Sequence, residues 1–319
     1  MTVAAIIPHW NRRDLLDPLF ASLHAQTRPF DEILLIDNGS TDDSRELAAR
    51  LGARVIALPA NLGFAAAVNR GIAESDAEWI AILNNDVTIA PNWLEILLAT
   101  RADFATGKLL SAAHPDILDG CFDEIARSAC AWRCGAGRPD APVWNRPREI
   151  RIAPMTAAIF RRALFTELGG LDENFGSYLE DVDFGVRCAL AGHTGEYLPA
   201  AVAWHRGSAT RGAWNSDTVK QIARNQILLT VKHFHGVPRW PLVAGQMLWG
   251  LVALRHGRGA AYLRGKASGW TAARTLYHDN IPQDRITSLA AAGEREILAL
   301  QRETGSDWYW RAYFWLLPR

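Results

Sequence analysis

The chain has 319 residues, 49% of them hydrophobic, and its 34 Lys and Arg balance 34 Asp and Glu. That length and apolar content supply a core for one large or two ordinary domains, and the neutral balance excludes a global field that would recruit nucleic acid. No stretch reaches the about eighteen uninterrupted apolar residues of a membrane span, and the opening MTVAAIIPHW has no basic start and breaks at Pro8 and His9, so no leader peptide is expected.

Along the chain, VAAIIP is a β-rich run followed by polar HWNRRD, and in LLDPLFASLHAQ the residues Leu15, Leu19 and Leu23 recur at helical spacing. EILLIDNGS follows as a strand, then a helix from about residue 42 to 51, the strand RVIALP, a helix from about 65 to 75, and the strand WIAILNND. Strands separated by helices of this length pair in parallel through right-handed crossovers. The first half is therefore expected to be a doubly wound α/β sheet.

In such a sheet the polar clusters fall repeatedly at one edge. His9 to Arg13 follow the first strand, Asp37 to Ser40 the second, Asn61, Gly63 and Phe64 the third, and Asn84 to Asp86 the fourth. Open α/β folds place ligands at that carboxyl edge, whereas Asn and Asp confined to ordinary turns would reach the opposite edge as well. No G-x-G-x-x-G or G-x-x-x-x-G-K-[ST] is present, which disfavours dinucleotide and P-loop chemistry. A carboxylate with amides at a strand end suits a hard divalent cation shared with a diphosphate, because Mg²⁺ takes few protein oxygens and keeps the rest for phosphate and water.

Residues 112–150 mix Gly, Pro, Arg and Trp without period and read as a long, partly ordered loop over that edge. In SYLEDVDFGVRCALAG, Glu180, Asp181 and Asp183 precede an amphipathic turn that Gly192 can cap. Acids favour a helix N-terminus by about 0.3–1 kcal/mol each, and Asp183 with Arg187 stands at i, i+4 and pairs. Cys121, Cys130, Cys134 and Cys188 lack the C-x2-C spacing of zinc or redox modules and read as reduced thiols. From about residue 216 the composition shifts to amphipathic helices rich in Leu, aromatic and basic residues, which hold many of the thirteen tryptophans. Such segments lie on a membrane interface or cover a neighbouring subunit or domain, and composition leaves these open.

IIPHWNRRDLL, LLIDNGSTDDS, NLGFAAAVNRGI, LNNDV and ELGGLDENFGSYLEDVDFGVRCALAG stand in the order and spacing of the family 2 inverting glycosyltransferases, and over about residues 3 to 235 the chain resembles their bacterial rhamnosyltransferase branch. The resemblance implies a GT-A fold, a doubly wound mixed α/β sheet with a C-terminal helical extension. The catalytic domain would span 1–215, with a nucleotide-binding half 1–111 and an acceptor half 112–215, ahead of a helical amphipathic region 216–319. NND stands where the family carries D-x-D. By that match Asp86 holds Mg²⁺ or Mn²⁺, Asn84 faces the ribose and Asp37 the base ring, and Pro8, Asn11, Arg12, Asn61, Gly63, Asn69 and Asn85 complete the donor nucleotide site. The Asp of the ED pair is the family's general base, here Asp181, with Glu180 positioning acceptor or sugar.

Only one carboxylate remains in the NND triplet, so the cation arrives with the nucleotide or has a second protein ligand. His205 offers one, in which case Mn²⁺ is favoured, and reads equally well as a loop histidine with a backbone partner. Thr156 and Ala157 stand where relatives carry a Gly-Ala pair, so acceptor identity does not transfer from the resemblance.

The activity so implied is transfer of rhamnose or a similar sugar from a nucleoside-diphosphate donor, dTDP-rhamnose or a UDP-sugar, to a glycan or polyprenyl-linked acceptor in cell-wall polysaccharide synthesis. Its place would be the cytoplasm, at the inner face of the membrane. Two other classes compete. A sugar-phosphate nucleotidylyltransferase needs a Gly-rich loop after strand one, which PHWNRRDLL lacks; a non-catalytic nucleotide- or glycan-binding module would explain the weakened triplet but not the retained Asp86 and Glu180-Asp181.

Overall fold

A computed structural model describes residues 1–207, 214–276 and 282–317. The chain divides into two compact units, Met1–Phe122 with Gly135–Thr210, and Asp123–Cys134 with Arg211–Arg319.

The first unit opens with β1 (Val3–His9), α1 (Leu16–His24), β2 (Glu32–Asp37), α2 (Ser44–Arg50), β3 (Arg54–Ala57), α3 (Phe64–Ala73) and β4 (Trp79–Leu83). This is the alternation expected from the sequence. It continues with β5 (Val87–Ile89), α4 (Trp93–Leu98), β6 (Phe104–Ser111) and β7 (Leu118–Gly120). The second unit takes the next hairpin, β8 (Asp123–Ile125) and β9 (Ala131–Arg133). The first unit then closes with β10 (Arg148–Ile150), β11 (Ala157–Arg161), α5 (Arg162–Leu168), α6 (Glu180–Ala191) and β12 (Gly195–His205).

The main sheet runs β10-β12-β6-β11-β4-β1-β2-β3, with β5 on β12 and β7 on β6. β1, β2, β3 and β4 pair in parallel, as do β6 and β12, while β11 lies antiparallel between β4 and β6. The sheet is therefore mixed. Strands β1 and β4 are buried almost throughout, as a central strand with both faces covered requires. On one face Leu16, Leu19, Phe20 and Leu23 of α1 and Trp93, Leu94 and Leu97 of α4 pack against Val3, Ala5, Ile7 and Leu83.

Residues 112–150 differ from the expected loop. They carry four three-residue strands, pinned by tertiary contacts that no local period reveals. Trp144 is fully buried and its carbonyl accepts from the Tyr197 hydroxyl at 2.8 Å; Lys108 holds Asp140 at 2.7 Å.

In the second unit the hairpin joins α7 (Ser216–His233), α8 (Arg239–Arg255), α9 (Gly259–Ala272), α10 (Gln283–Thr304) and α11 (Trp308–Leu316). Asn215 caps α7 by accepting from the Thr218 amide at 2.8 Å. Polar ties inside this unit are satisfied: Glu294 accepts from Arg127 at 2.7 Å and from the Tyr313 hydroxyl at 2.7 Å, and buried Lys266 donates to Gln226 and Gln246, each at 2.8 Å. Trp132 and Trp310 meet edge to face at 6.4 Å.

One irregularity governs how β12 approaches the sheet edge. Its register with β6 shifts between Leu198 and Val202, so the chain bulges opposite Gly107. A Cβ on Gly107 would stand 1.8 Å from the Ala201 carbonyl oxygen, backbone that cannot step aside. Gly107→Ala is thus expected to lower stability by about 1–3 kcal/mol, read as a fall in melting temperature and guanidinium midpoint; an unchanged midpoint would show that the bulge does not depend on this glycine.

Candidate active site

Because β1, β2 and β4 are parallel neighbours, their carboxyl ends share one edge, and the register sets His9 beside Asp37. Asp37 is fully buried. A buried carboxylate needs its charge answered, and here the Arg45 Nε donates at 2.6 Å while the Ser40 amide donates to both oxygens at 3.2 Å. The loop after β1 is tied to the same turn: the Asn11 amide donates to Ser40 Oγ at 2.7 Å and the Thr41 amide to Asn11 Oδ1 at 2.9 Å. Asn38 bridges onward, donating to Asn61 Oδ1 at 3.1 Å and to the Gly63 carbonyl at 3.0 Å, and accepting from the Leu62 amide at 2.8 Å. Asn11, Asp37, Asn61 and Gly63 thus belong to one connected rim, and Pro8 precedes it on β1, paired with Ile36. Arg12 stands in it too, paired with Asp14 at 2.8 Å, a contact that raises the guanidinium pKa and lowers that of the carboxyl.

The second cluster is built on the β4–β5 connection. Asp86 Oδ1 lies 3.1 Å from His205 Nε2, and His205 Nδ1 lies 2.9 Å from Asp119 Oδ2. The partners of His205 are carboxylates rather than the backbone. Burial pulls the imidazole pKa down, but the hydrogen bonds and charges of Asp119 and Asp86 outweigh it and raise it to about 9. The backbone fixes the arrangement, since His205 pairs with Val87 across β12 and β5 and the Arg206 amide donates to the Asp86 carbonyl at 3.0 Å.

Asp86 and His205 offer one carboxylate oxygen and, once a cation displaces the imidazole proton, one ring nitrogen side by side, a donor set that Mn²⁺ accepts readily and Mg²⁺ accepts through its oxygen. Asp119 orients the imidazole as an outer carboxylate does in metal sites. Among the described residues no group of three or more His, Cys, Asp or Glu is arranged to hold a metal alone. Two protein donors therefore fit a cation that shares its remaining positions with a ligand.

Asn85, the middle of the triplet, turns away from this couple to His9, its Nδ2 2.9 Å from the His9 Nδ1. Burial drives the His9 pKa down to about 4 against the pull of Asp37, Asp42 and Asp14, so the ring is neutral at physiological pH. His9 links the Asp37 rim to the triplet. Asn84, half-buried, is held by its backbone amide, which donates to the Thr156 carbonyl at 2.9 Å. Asn69 occupies a different position: its amide ties down the loop before α6, donating to the Leu171 carbonyl at 2.8 Å and Glu173 at 2.9 Å and accepting from the Leu171 amide at 2.8 Å.

Glu180 and Asp181 open α6, with Gly192 as its left-handed C-cap at φ 95°. Asp181 accepts from the Val182 amide at 2.9 Å, and Asp183 pairs with Arg187 at 3.0 Å as the i, i+4 spacing expects. The approach to this pair is strained, with Tyr178 at φ 71° and Leu179 at φ 68°, two successive side-chain-bearing residues in the left-handed region. The loop after β1 does the same at Asn11 (φ 53°) and Arg12 (φ 60°). Backbone of this kind costs about 1–3 kcal/mol per residue and gathers where a site must be held in shape. The loop is also stitched to the rim: the Ala65 amide donates to the Gly176 carbonyl at 2.9 Å and the Phe64 amide to Ser177 Oγ at 3.2 Å. Gly63 makes this possible, as a Cβ there would stand 2.8 Å from the Gly176 oxygen.

Arg45 and Asp119 are the site-edge residues that the sequence did not single out, while His9 and Asn38 stand in the strand-end clusters without a role of their own. Arg45 lies one residue beyond the quoted LLIDNGSTDDS, in the first turn of α2. Asp119 sits in the aperiodic 112–150 stretch, where nothing local distinguishes it.

The sequence profile of the family "Glycosyl transferase family 2" matches residues 4–107. The chain is 30% identical over 225 residues to the N-acetylglucosaminyl-diphospho-decaprenol L-rhamnosyltransferase of Mycobacterium tuberculosis, covering 62% of this chain and 73% of that protein. A pre-mycofactocin glycosyltransferase of the same organism is 29% identical over 206 residues, 64% of this chain and 42% of its own length. In structure, GalNAc-T7 with UDP, GalNAc and Mn²⁺ superposes with a TM-score of 0.62 at 14% identity, over 98% of this chain and 56% of that one. The mannosyltransferase PcManGT of Pyrobaculum calidifontis with GDP-Man and Mn²⁺ gives 0.53 at 18% identity, over 98% and 85%. The S. aureus protein TarS gives 0.50 at 17% identity over 72% of this chain, which spans 40% of that longer one. The fold is that of GT-A glycosyltransferases, and the chain belongs to glycosyl transferase family 2, as a glycosyltransferase of its rhamnosyltransferase-like branch.

Proposed function

We propose that the chain transfers a deoxyhexose of the rhamnose type from a nucleoside-diphosphate donor to a hydroxyl of a glycan or polyprenyl-linked acceptor, by a single displacement that inverts the anomeric centre. The observation that carries this reading is the pairing of Asp86 with His205 at the strand edge that also bears Asp37. The rim from Asn11 to Gly63 supplies the base and ribose end, where Asp37 accepts from Arg45 and the Ser40 amide. The mycobacterial relative's name, with its diphospho-decaprenol acceptor and rhamnosyl product, supports the choice of sugar and acceptor class.

Asp86 and His205 would hold Mg²⁺ or Mn²⁺, which when bound neutralises the diphosphate and makes it a better leaving group. Asp181 takes the proton of the acceptor hydroxyl on its carboxylate while that oxygen bonds to the anomeric carbon. The bond from that carbon to the diphosphate oxygen breaks, its electron pair staying on the diphosphate. Glu180, buried beside Asp181, positions the acceptor or the sugar.

Asp181→Asn retains the shape and the bond to the Val182 amide but removes the basicity. Its kcat should fall about 10²–10⁴-fold, some 3–5 kcal/mol of barrier, with donor Kd and melting temperature unchanged. Turnover within about threefold of the parent would exclude Asp181 as base, and a larger loss in Glu180→Gln would move the role one residue.

Asp86→Ala and His205→Ala should each weaken binding of UDP or dTDP in Mn²⁺ and leave the residual affinity indifferent to EDTA. Because the two side chains serve one cation, the double variant should lose scarcely more than the worse single. Asn84→Ala should weaken nucleotide binding while its cation dependence persists. Titration calorimetry with and without Mn²⁺ distinguishes these cases, and additive losses would argue that Asp86 and His205 act separately.

A further inference from the structure

The second unit carries a surface that the transfer chemistry does not use. On α8, Trp240, Val243, Met247, Leu251 and Leu254 recur every three or four residues and are each 47–65% exposed. At 100° per residue these positions fall within one narrow stripe, about 21 Å long at 1.5 Å per residue. The opposite side of the helix is the one that packs, through Pro241, Ala244, Gly245 and Leu248. On α9 the outward face repeats the pattern with Leu263 (67% exposed) and Trp270 (58%), flanked by Arg264 and Arg274. Trp315 of α11 is 82% exposed, and the Trp240 indole donates to the neighbouring Leu316 carbonyl at 2.9 Å. Scattered exposed apolar residues need no explanation, but a continuous stripe of this length does.

Charge identifies the occupant. The chain as a whole is neutral, yet from Thr218 to His278 there is no Asp or Glu against nine Lys and Arg. Arg239 and Arg255 stand at the two ends of the α8 stripe, and Arg264 and Arg274 beside the α9 one. A second copy of this face would bring arginines against arginines with no acid between them. An anionic lipid surface answers both features at once: headgroups meet the arginines, and Trp, Leu and Met enter the boundary between headgroups and acyl chains. Among the described residues no helix is long and apolar enough to cross a membrane, so the segment would lie in the plane of the surface.

We propose that the outward face of α8 and α9, with Trp315, docks on an anionic membrane surface. The test is cosedimentation of the full chain with vesicles of phosphatidylcholine mixed with phosphatidylglycerol, and with vesicles of phosphatidylcholine alone. The parent should partition to the mixed vesicles and lose this affinity as salt rises. Arg239→Glu with Arg255→Glu should reduce the partition coefficient by at least about tenfold, and Met247→Asp with Leu251→Asp should do the same. Both pairs are exposed, so circular dichroism and melting temperature should match the parent and separate loss of docking from loss of fold. Unchanged partition in either folded variant would overturn the proposal. So would light scattering showing a parent dimer that the Met247→Asp, Leu251→Asp chain cannot form, since the stripe would then belong to a second copy.

Discussion

His205 stands between two carboxylates, 3.1 Å from Asp86 and 2.9 Å from Asp119, with little of its ring open to water. Burial alone would strip the imidazole of its proton, and the two acids on its ring nitrogens outweigh that cost. The trio is stable because three segments distant in sequence arrive together: the β4–β5 connection brings Asp86, β7 brings Asp119, and β12 brings His205. Much of the mixed sheet is the means of this convergence. β12 has to pair with both β6 and β5, and the shift at Leu198 to Val202 sets its last residues in the register that places His205 opposite Val87.

The same reasoning accounts for the neighbouring rim. Asp37 is buried at the end of β2 and is answered by Arg45 from α2 and by the turn amide of Ser40, so the loop between strand and helix cannot drift. His9, neutral and buried beside it, reaches Asn85 and fixes the middle of the triplet. The triplet is therefore divided: Asn85 is engaged with the interior, Asp86 with His205, and Asn84 is held by its backbone. An amide at position 85 suits a histidine that burial keeps uncharged, whereas the acid that D-x-D carries and this triplet lacks belongs at position 84.

The strand-helix alternation to residue 83 and the strand-end clusters were legible because local period and local polarity coincide there. Asp86, Asp37 and the rim could be named for that reason. Beyond residue 100 the coincidence ends. The antiparallel strand β11 lies in MTAAIFRR, too short to declare a period, and Asp119 acquires its meaning only from His205, far along the chain. The hairpin of β8 and β9 is held by partners such as Glu294, 167 residues from Arg127, which no window of sequence contains. Left-handed backbone at Tyr178 and Leu179 carries no glycine to announce it. Asn69 stands in a motif that resembles the family's, yet its amide is committed to Leu171 and Glu173. Motif membership and chemical availability are separate questions.

The contact of Gly63 with Gly176 joins the turn at 61–63, on the Asp37 rim, to the loop that leads into Glu180 and Asp181. Side chains at both points would have kept the two segments apart, and a hydrogen bond alone could stretch; backbone against backbone cannot yield in that way. A displacement of one is thereby a displacement of the other. Coupling of this kind is reciprocal, so that a free energy spent in moving the turn is felt at the head of α6, and one spent at the head of α6 is felt at the turn.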